Sequence, residues 1–377
     1  MTLKVSKSQA LRDSNIELYR IISMLLIVAH HYVVNSGLTA ANGPIYSNTF
    51  SFPSLFLLLF GAWGKIGINC FVLITGYFMC KSQITPKKFA KLFLEVMFYQ
   101  FVINIIFWIF GYAPFTLKSF LKVLVPFTSI SKNFTGTYLI FFLCIPFLNV
   151  LVNNLNQKQH IRLLLLSFST YVLFGTVPFL SVTMNYVSWY MVLYFIASYI
   201  RLYPKKIFDS KRFWGIMTFI SVSLSAISVV ACSWLGAKLG TNIPFLFVTD
   251  SNTFLAVLTG LSSFMLFKNI KIKYNKFINT VSATTFGILL IHANSDAMRQ
   301  WLWKDLFNNV GMYGSSIMPI HAISSVIIVF VVCSLLDLAR IHLIEKPFFK
   351  LWDKYWHCIA EKFTFLENNL FEKFKKF

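Results

Sequence analysis

Long apolar runs limit what this chain can fold into more tightly than any other feature of its sequence. A membrane-spanning helix needs about 20 mainly apolar residues. Runs of that kind lie at roughly 16–36, 62–80, 89–111, 134–153, 161–181, 186–203, 213–236, 253–268, 277–293 and 319–343. Composition agrees, with 57% hydrophobic and 12% charged residues against about 45–50% and about 25% in an average soluble domain. A soluble globule cannot hide that much apolar surface, and intrinsic disorder requires low hydrophobicity. The expected fold is all-α, a polytopic integral membrane bundle of about ten transmembrane helices.

The formal net charge of +21 would suggest nucleic-acid binding in a soluble protein, but here the basic residues form short clusters between apolar runs. That placement fits topology determinants and contacts with anionic headgroups, so no nucleic acid is expected as a partner and membrane lipids are. With a cytoplasmic amino terminus, only six Lys and Arg fall on the outer side: Lys118, Lys122, Lys132, Lys238, Arg299 and Lys304. Arg20 and Lys65 sit at or inside span ends, and all the other basic residues fall on the inner side. The bias places both termini in the cytoplasm. The first apolar run is too long and too interrupted by ionisable groups for a signal peptide and is expected to stay uncleaved.

Phe52 to Phe60 reads as a half-helix leading into the second span, and Leu117 to Phe127 as a short interfacial or re-entrant piece. The expected division is a transmembrane domain over 1–350 and an amphipathic cytoplasmic tail helix over 351–377. Apolar residues recur there at three- and four-residue steps among Lys and Glu, which suits an interfacial helix or a partner-binding one. Glu345-Lys346-Pro347 is expected to end the last span, because proline disfavours helical geometry in the residue before it. The six cysteines show no CxxC spacing and read as buried apolar residues, so no metal site or disulfide framework is expected.

Ionisable groups inside a span cost about 3 kcal/mol each and are functional candidates by default. The first span holds Glu17, Arg20, His30 and His31. Eleven residues of ideal helix make three turns plus about 20°, so Arg20 and His31 share one face, separated by about 16 Å along the axis. His30 is rotated by about 100° from His31 and faces elsewhere. A competing reading has Arg20 reaching the inner headgroups beside Glu17, and the histidine pair hydrogen-bonded at the outer interface. Asp337 and Arg340, one turn apart, are expected to neutralise each other; Glu95 has no assigned partner.

Arg20 and His31, with ten residues between them, resemble the first-helix motif of the membrane-bound acyltransferase 3 family. Further segments are similar in order: Gly67-Ile-Asn69-Cys-Phe71 with Leu73-Ile-Thr-Gly76, the lysines Lys87, Lys88 and Lys91, Ser188-Trp189-Tyr190, Phe286 to His292, and Ile344 to Phe348. Glu17 stands where the family often has Asp, and lysines replace a cluster that is often Arg-rich. Lysine binds phosphate as a point charge, without a bidentate fork.

The resemblance implies an enzyme that moves an acyl group, with acetyl-CoA as the expected donor, from the cytoplasm to an extracytoplasmic carbohydrate acceptor. In that scheme Arg20, Lys87, Lys88 and Lys91 hold the acyl-CoA phosphates and His31 is the general base, with no metal. Asn69, Thr75 and Tyr138 are candidate oxyanion donors by type, His292 a second imidazole, and Trp63, Trp189, Trp301 and Trp303 candidate sugar platforms. Asp296 is either an orienting carboxylate or a solvated one. The expected setting is multi-pass in a bacterial plasma membrane, as a homodimer or within a polysaccharide-synthesis complex. Two rival readings are a secondary transporter or flippase for a lipid-linked or anionic sugar, and an inactive scaffold.

Overall fold

The computed structural model describes residues 13–125, 134–177, 180, 185–248 and 250–356, and all secondary structure among them is helical. In chain order the principal helices are α1 (Ser14–Val34), α2 (Phe52–Gly61), α3 (Gly64–Met79), α4 (Pro86–Ile109), α5 (Leu117–Leu124), α6 (Phe134–Asn154) and α7 (Gln157–Ser167). They are followed by α8 (Tyr186–Leu202), α9 (Lys211–Leu239), α10 (Phe254–Asn269), α11 (Lys276–Ser282), α12 (Thr285–His292), α13 (Asp296–Gln300) and α14 (Met318–Arg340). The starts follow sequence chemistry. Thr85 caps α4 ahead of Pro86, Thr116 with Ser119 and Asn156 with Gln159 form capping boxes on α5 and α7, and Gly240 closes α9 in the left-handed region at φ 65°.

Among the described residues six helices are long and apolar enough to cross a membrane: α1, α2 and α3 as one interrupted span, α4, α6, α9, and α14 with its extension to Trp356. The other four expected spans are helical but shorter or interrupted. The helix begun by α7 passes into a π-helical stretch at Phe168–Leu173, α8 and α10 have 17 and 16 residues, and 277–293 turns at Ala283 and Thr284 between α11 and α12. An apolar window reads straight through such breaks, because neither Ala nor Thr lowers hydropathy enough to show one. The expected half-helix is present as α2, separated from α3 by a turn at Ala62 and Trp63.

The expected helix end at Pro347 is not observed. The backbone widens into a π-helical turn at Ile341–Glu345 and then continues as α-helix to Trp356. A π turn rearranges the i→i−4 ladder just where proline lacks its N–H, so the chain passes Pro347 without stopping. Of the expected tail helix, residues 351–356 extend this run, with Trp352 and Trp356 stacked at 4.8 Å; residues 357–377 lie outside the described residues.

At the centre stands α1, packed against α2, α3, α10, α11, α12 and α14. The peripheral helices α4, α6 and α9 turn large apolar side chains outward, among them Phe147 (76% exposed) and Phe219 (74%), as lipid contact requires. Hydrogen bonds sort the connections onto two ends. At the start of α1, Asn15 reaches the Phe267 carbonyl, Asn149 reaches those of Met79 and Ser82, and Lys268 pairs with Asp209. At its far end, Asn309 reaches the Tyr32 carbonyl, Tyr313 meets Ser51 and Ser54, and Lys65 meets Tyr186.

A buried ionic cluster ties the start-of-α1 end together. Arg340 contacts Asp337 at 2.6 Å, Glu345 at 2.8 Å and Glu95 at 3.1 Å, and Lys91 contacts Glu345 at 2.6 Å. The expected Asp337–Arg340 pair is therefore present, and Glu95 gains its partner from a helix more than 200 positions away in sequence. Gly287 makes room for the cluster, since a Cβ there would stand 2.2 Å from Asp337 Cγ.

Candidate active site

The orientation of the first-span histidines is set by close helix packing. A Cβ on Gly61 would meet Val33 at 2.8 Å, one on Gly64 would meet His30 Cγ at 2.2 Å, and one on Gly67 would meet Ile27 at 2.8 Å. These three glycines, spaced three apart, let α1 press onto the α2–α3 span with His30 seated in the contact. There the His30 Nδ1–H donates to the Gly61 carbonyl at 2.6 Å. With His30 locked to that side, His31 turns toward α12.

His31 Nδ1 lies 2.9 Å from Nε2 of His292, and His292 Nδ1 lies 2.6 Å from the Ile288 carbonyl oxygen. A carbonyl only accepts, so His292 Nδ1 carries a hydrogen, and in the neutral ring its Nε2 is then a lone pair. Nδ1 of His31 must therefore donate, which leaves the lone pair of His31 on Nε2. That nitrogen has no hydrogen-bond partner among the described residues, and His31 lines a cavity of about 540 Å³. The result is an oriented base: one ring nitrogen held by a second imidazole, the other open to a space large enough for a small substrate.

The cavity opens at the far end of α1. Its wall mixes apolar side chains (Ile68, Val96, Leu289) with Gln100, Asn294, Lys65, Lys122, Arg299, Tyr186 and Tyr190. The Tyr190 hydroxyl is buried and has no partner among the described residues, an O–H donor held in reserve at the wall.

The other residues singled out in the sequence are placed as follows. His292 joins His31. Asn69 and Trp189 meet each other, with Trp189 Nε1 donating to Asn69 Oδ1 at 3.1 Å while Asn69 Nδ2 donates to the Ser251 and Ala256 carbonyls at 2.7 and 3.2 Å. Both are fully buried and neither lines the cavity; they clamp α3, α8 and the start of α10. Trp303 is also fully buried, against Tyr32 and Phe307, so these two indoles are packing elements instead of sugar platforms. Trp301 belongs to a separate apolar groove. Tyr138 bonds to Thr75 at 2.8 Å and stacks on the cavity-lining Phe134 at 5.4 Å. Asp296 is a solvated carboxylate, 98% exposed and paired with Arg299.

Residues 13–338 match the acyltransferase 3 family, described as an acyltransferase domain. The chain belongs to the acyltransferase 3 family. It is accordingly a multi-pass membrane protein of an acyltransferase family, which speaks against the transporter reading. No curated protein and no solved structure matches it.

The cations resembling the family's donor-binding cluster lie toward the opposite end of α1 from His31. Arg20 is partly exposed (30%), lies 3.8 Å from Glu17, and keeps its Nε buried without a hydrogen bond; it does not line the His31 cavity. Lys87 pairs with Asp353 at 2.5 Å, Lys91 with Glu345, and Lys88 donates to Ser82 Oγ and the Gln83 carbonyl, each at 2.7 Å. Three of the four cations thus have acidic partners.

Lys65, Tyr186 and the role of Tyr190 were missed from sequence. Tyr190 stood inside a similar segment, but what sets it apart is a hydroxyl without a partner among the described residues, which only the packed helices reveal. Lys65 had one legible signal, a lysine at a glycine-flanked helix break.

Proposed function

We propose that this member of the acyltransferase 3 family is an O-acyltransferase that moves an acetyl or similarly short acyl group from cytoplasmic acetyl-CoA to a hydroxyl of a cell-surface or secreted polysaccharide. The His31–His292 pair carries the reading, because it leaves an unprotonated Nε2 on a cavity wall. His31 Nε2 removes the proton of the acceptor hydroxyl as its oxygen attacks the thioester carbonyl. The new C–O bond forms, the C–S bond breaks, and the imidazolium returns its proton to the departing CoA thiolate. His292 accepts from His31 Nδ1–H throughout, holding the ring. The Tyr190 hydroxyl is the assigned donor to the developing oxyanion.

In this scheme both termini are cytoplasmic and about ten helices cross a bacterial plasma membrane. The arrangement is supported by the crowding of Lys and Arg at the start-of-α1 end. Arg20 with Lys87, Lys88 and Lys91 takes the CoA phosphates there, after Lys87 and Lys91 exchange carboxylate partners for phosphate.

The test is the ester content of surface polysaccharide, read by proton NMR, in cells expressing wild type, His31→Ala or His30→Ala. Loss of the base costs about 10²–10⁴-fold in rate, so His31→Ala should remove the ester signal while His30→Ala retains most of it. Equal ester content in wild type and His31→Ala overturns the assignment.

A further inference from the structure

The cavity beside His31 is charged in a way that acyl transfer to a neutral sugar does not require. Three cations reach it from three separate elements: Lys65 at the start of α3, Lys122 from α5, and Arg299 from α13. Asp296 is the single carboxylate among the described lining residues. It is bound to Arg299 at 2.8 Å and is 98% exposed, and a pair so fully solvated is worth about 0–1 kcal/mol and is screened by salt. Lys65 and Lys122 have no carboxylate within ion-pairing distance among the described residues. Lys65 is half-buried, with only the Tyr186 hydroxyl at 2.9 Å as its acceptor, and Arg299 keeps a buried Nε without a partner.

By contrast, the buried Arg340 is met by three carboxylates. Lys122 is exposed, but leaving the half-buried Lys65 without a carboxylate, and Arg299 paired only with a water-exposed one, is costly beside apolar walls that strengthen electrostatics. The uncompensated positive field is concentrated where the acceptor hydroxyl must arrive.

Resting on the acyl-transfer reading above, we propose that the acceptor is an anionic saccharide, one whose carboxylate or phosphate substituent is held by Lys65, Lys122 and Arg299 while a neighbouring hydroxyl faces His31. The anion orients the ring, and apolar lining at Ile68 and Leu289 takes its non-polar face.

The experiment uses the full chain in nanodiscs of phosphatidylcholine, so that no anionic lipid headgroup competes. Methyl glucoside, methyl glucuronoside and glucose 6-phosphate are titrated by saturation-transfer NMR, and each is then offered as acceptor with radiolabelled acetyl-CoA. Charge-assisted hydrogen bonds predict that both anionic probes bind at least about tenfold tighter than the neutral one at low salt, with the preference shrinking as salt rises. In the combined Lys65→Gln, Lys122→Gln, Arg299→Gln variant, checked for monodispersity, the preference collapses toward unity; Lys65→Arg retains it. Equal binding of neutral and anionic probes, or a preference that survives in the combined variant, overturns the proposal. Tight binding of anionic probes that wild type never acetylates sustains the anion site and overturns the acyl-transfer reading instead.

Discussion

Removing the His292 ring tests the proton logic of the site most directly. In the His292→Ala variant, His31 loses the acceptor 2.9 Å from its Nδ1. An ordinary hydrogen bond contributes about 1 kcal/mol, and a buried N–H left without a partner costs about 1–3 kcal/mol. The ring escapes part of that cost by moving its hydrogen to Nε2 or by rotating, and both changes remove the lone pair from the acceptor. The resulting penalty on the transition state is about 1.4–2.8 kcal/mol, or about 10–10²-fold in rate, the range seen when an outer partner of a functional histidine is removed. His292→Gln, whose amide oxygen can accept from Nδ1–H, should recover part of the loss.

The assay is acetyl transfer from labelled acetyl-CoA to a short saccharide by purified protein, with kcat and KM measured separately. The drop should appear in kcat with KM nearly unchanged, because the interaction orients the base and does not bind the acceptor. A His292→Ala enzyme with wild-type kcat, or a Gln variant no better than Ala, would refute the assigned tautomer.

Three further outcomes follow from the packing. Asn69→Leu forfeits three buried hydrogen bonds at about 0.6 kcal/mol each by membrane-protein experience, so thermal denaturation in detergent should show a loss of about 2 kcal/mol, while kcat of the folded fraction stays near wild type; a collapse of kcat without destabilisation would restore Asn69 as an oxyanion donor. Arg340→Ala strands Glu95 and Asp337 in the interior, leaves Glu345 with Lys91 alone, and should cost about 3–5 kcal/mol, seen as poor yield and aggregation on size exclusion, with Glu95→Gln in the same background recovering part of the yield. Asp353→Asn frees Lys87 from an exposed pair worth up to about 1 kcal/mol, so KM for acetyl-CoA should fall by up to about fivefold; an unchanged or higher KM would argue that Lys87 does not meet the donor.

Reading the sequence recovered the features that depend on near neighbours along the chain. Hydropathy over windows of about 20 residues located the six long apolar helices among the described residues, and a short apolar run gave the half-helix Phe52–Gly61. Helical rotation separated His30 from His31, and the three-residue step predicted the Asp337–Arg340 contact. Breaks that leave the hydropathy of a window untouched stayed hidden: the turn at Ala283 and Thr284 and the π turn that carries the last helix past Pro347.

The sequence alone determined that this is a helical membrane protein and that one helix carries a cation and an imidazole at different depths, because span length, charge bias and helical pitch are local quantities. Tertiary structure decided which nitrogen of His31 is left without a hydrogen. Its partner His292 lies 261 positions away, and the tautomer follows from a carbonyl on the partner's own helix. It likewise decided that Asn69 and Trp189 satisfy each other away from the cavity, and that Lys65, Lys122 and Arg299 surround one space. Whether a polar group is satisfied or left open depends on what lies opposite it once the helices have packed, and no periodicity in a single helix encodes that.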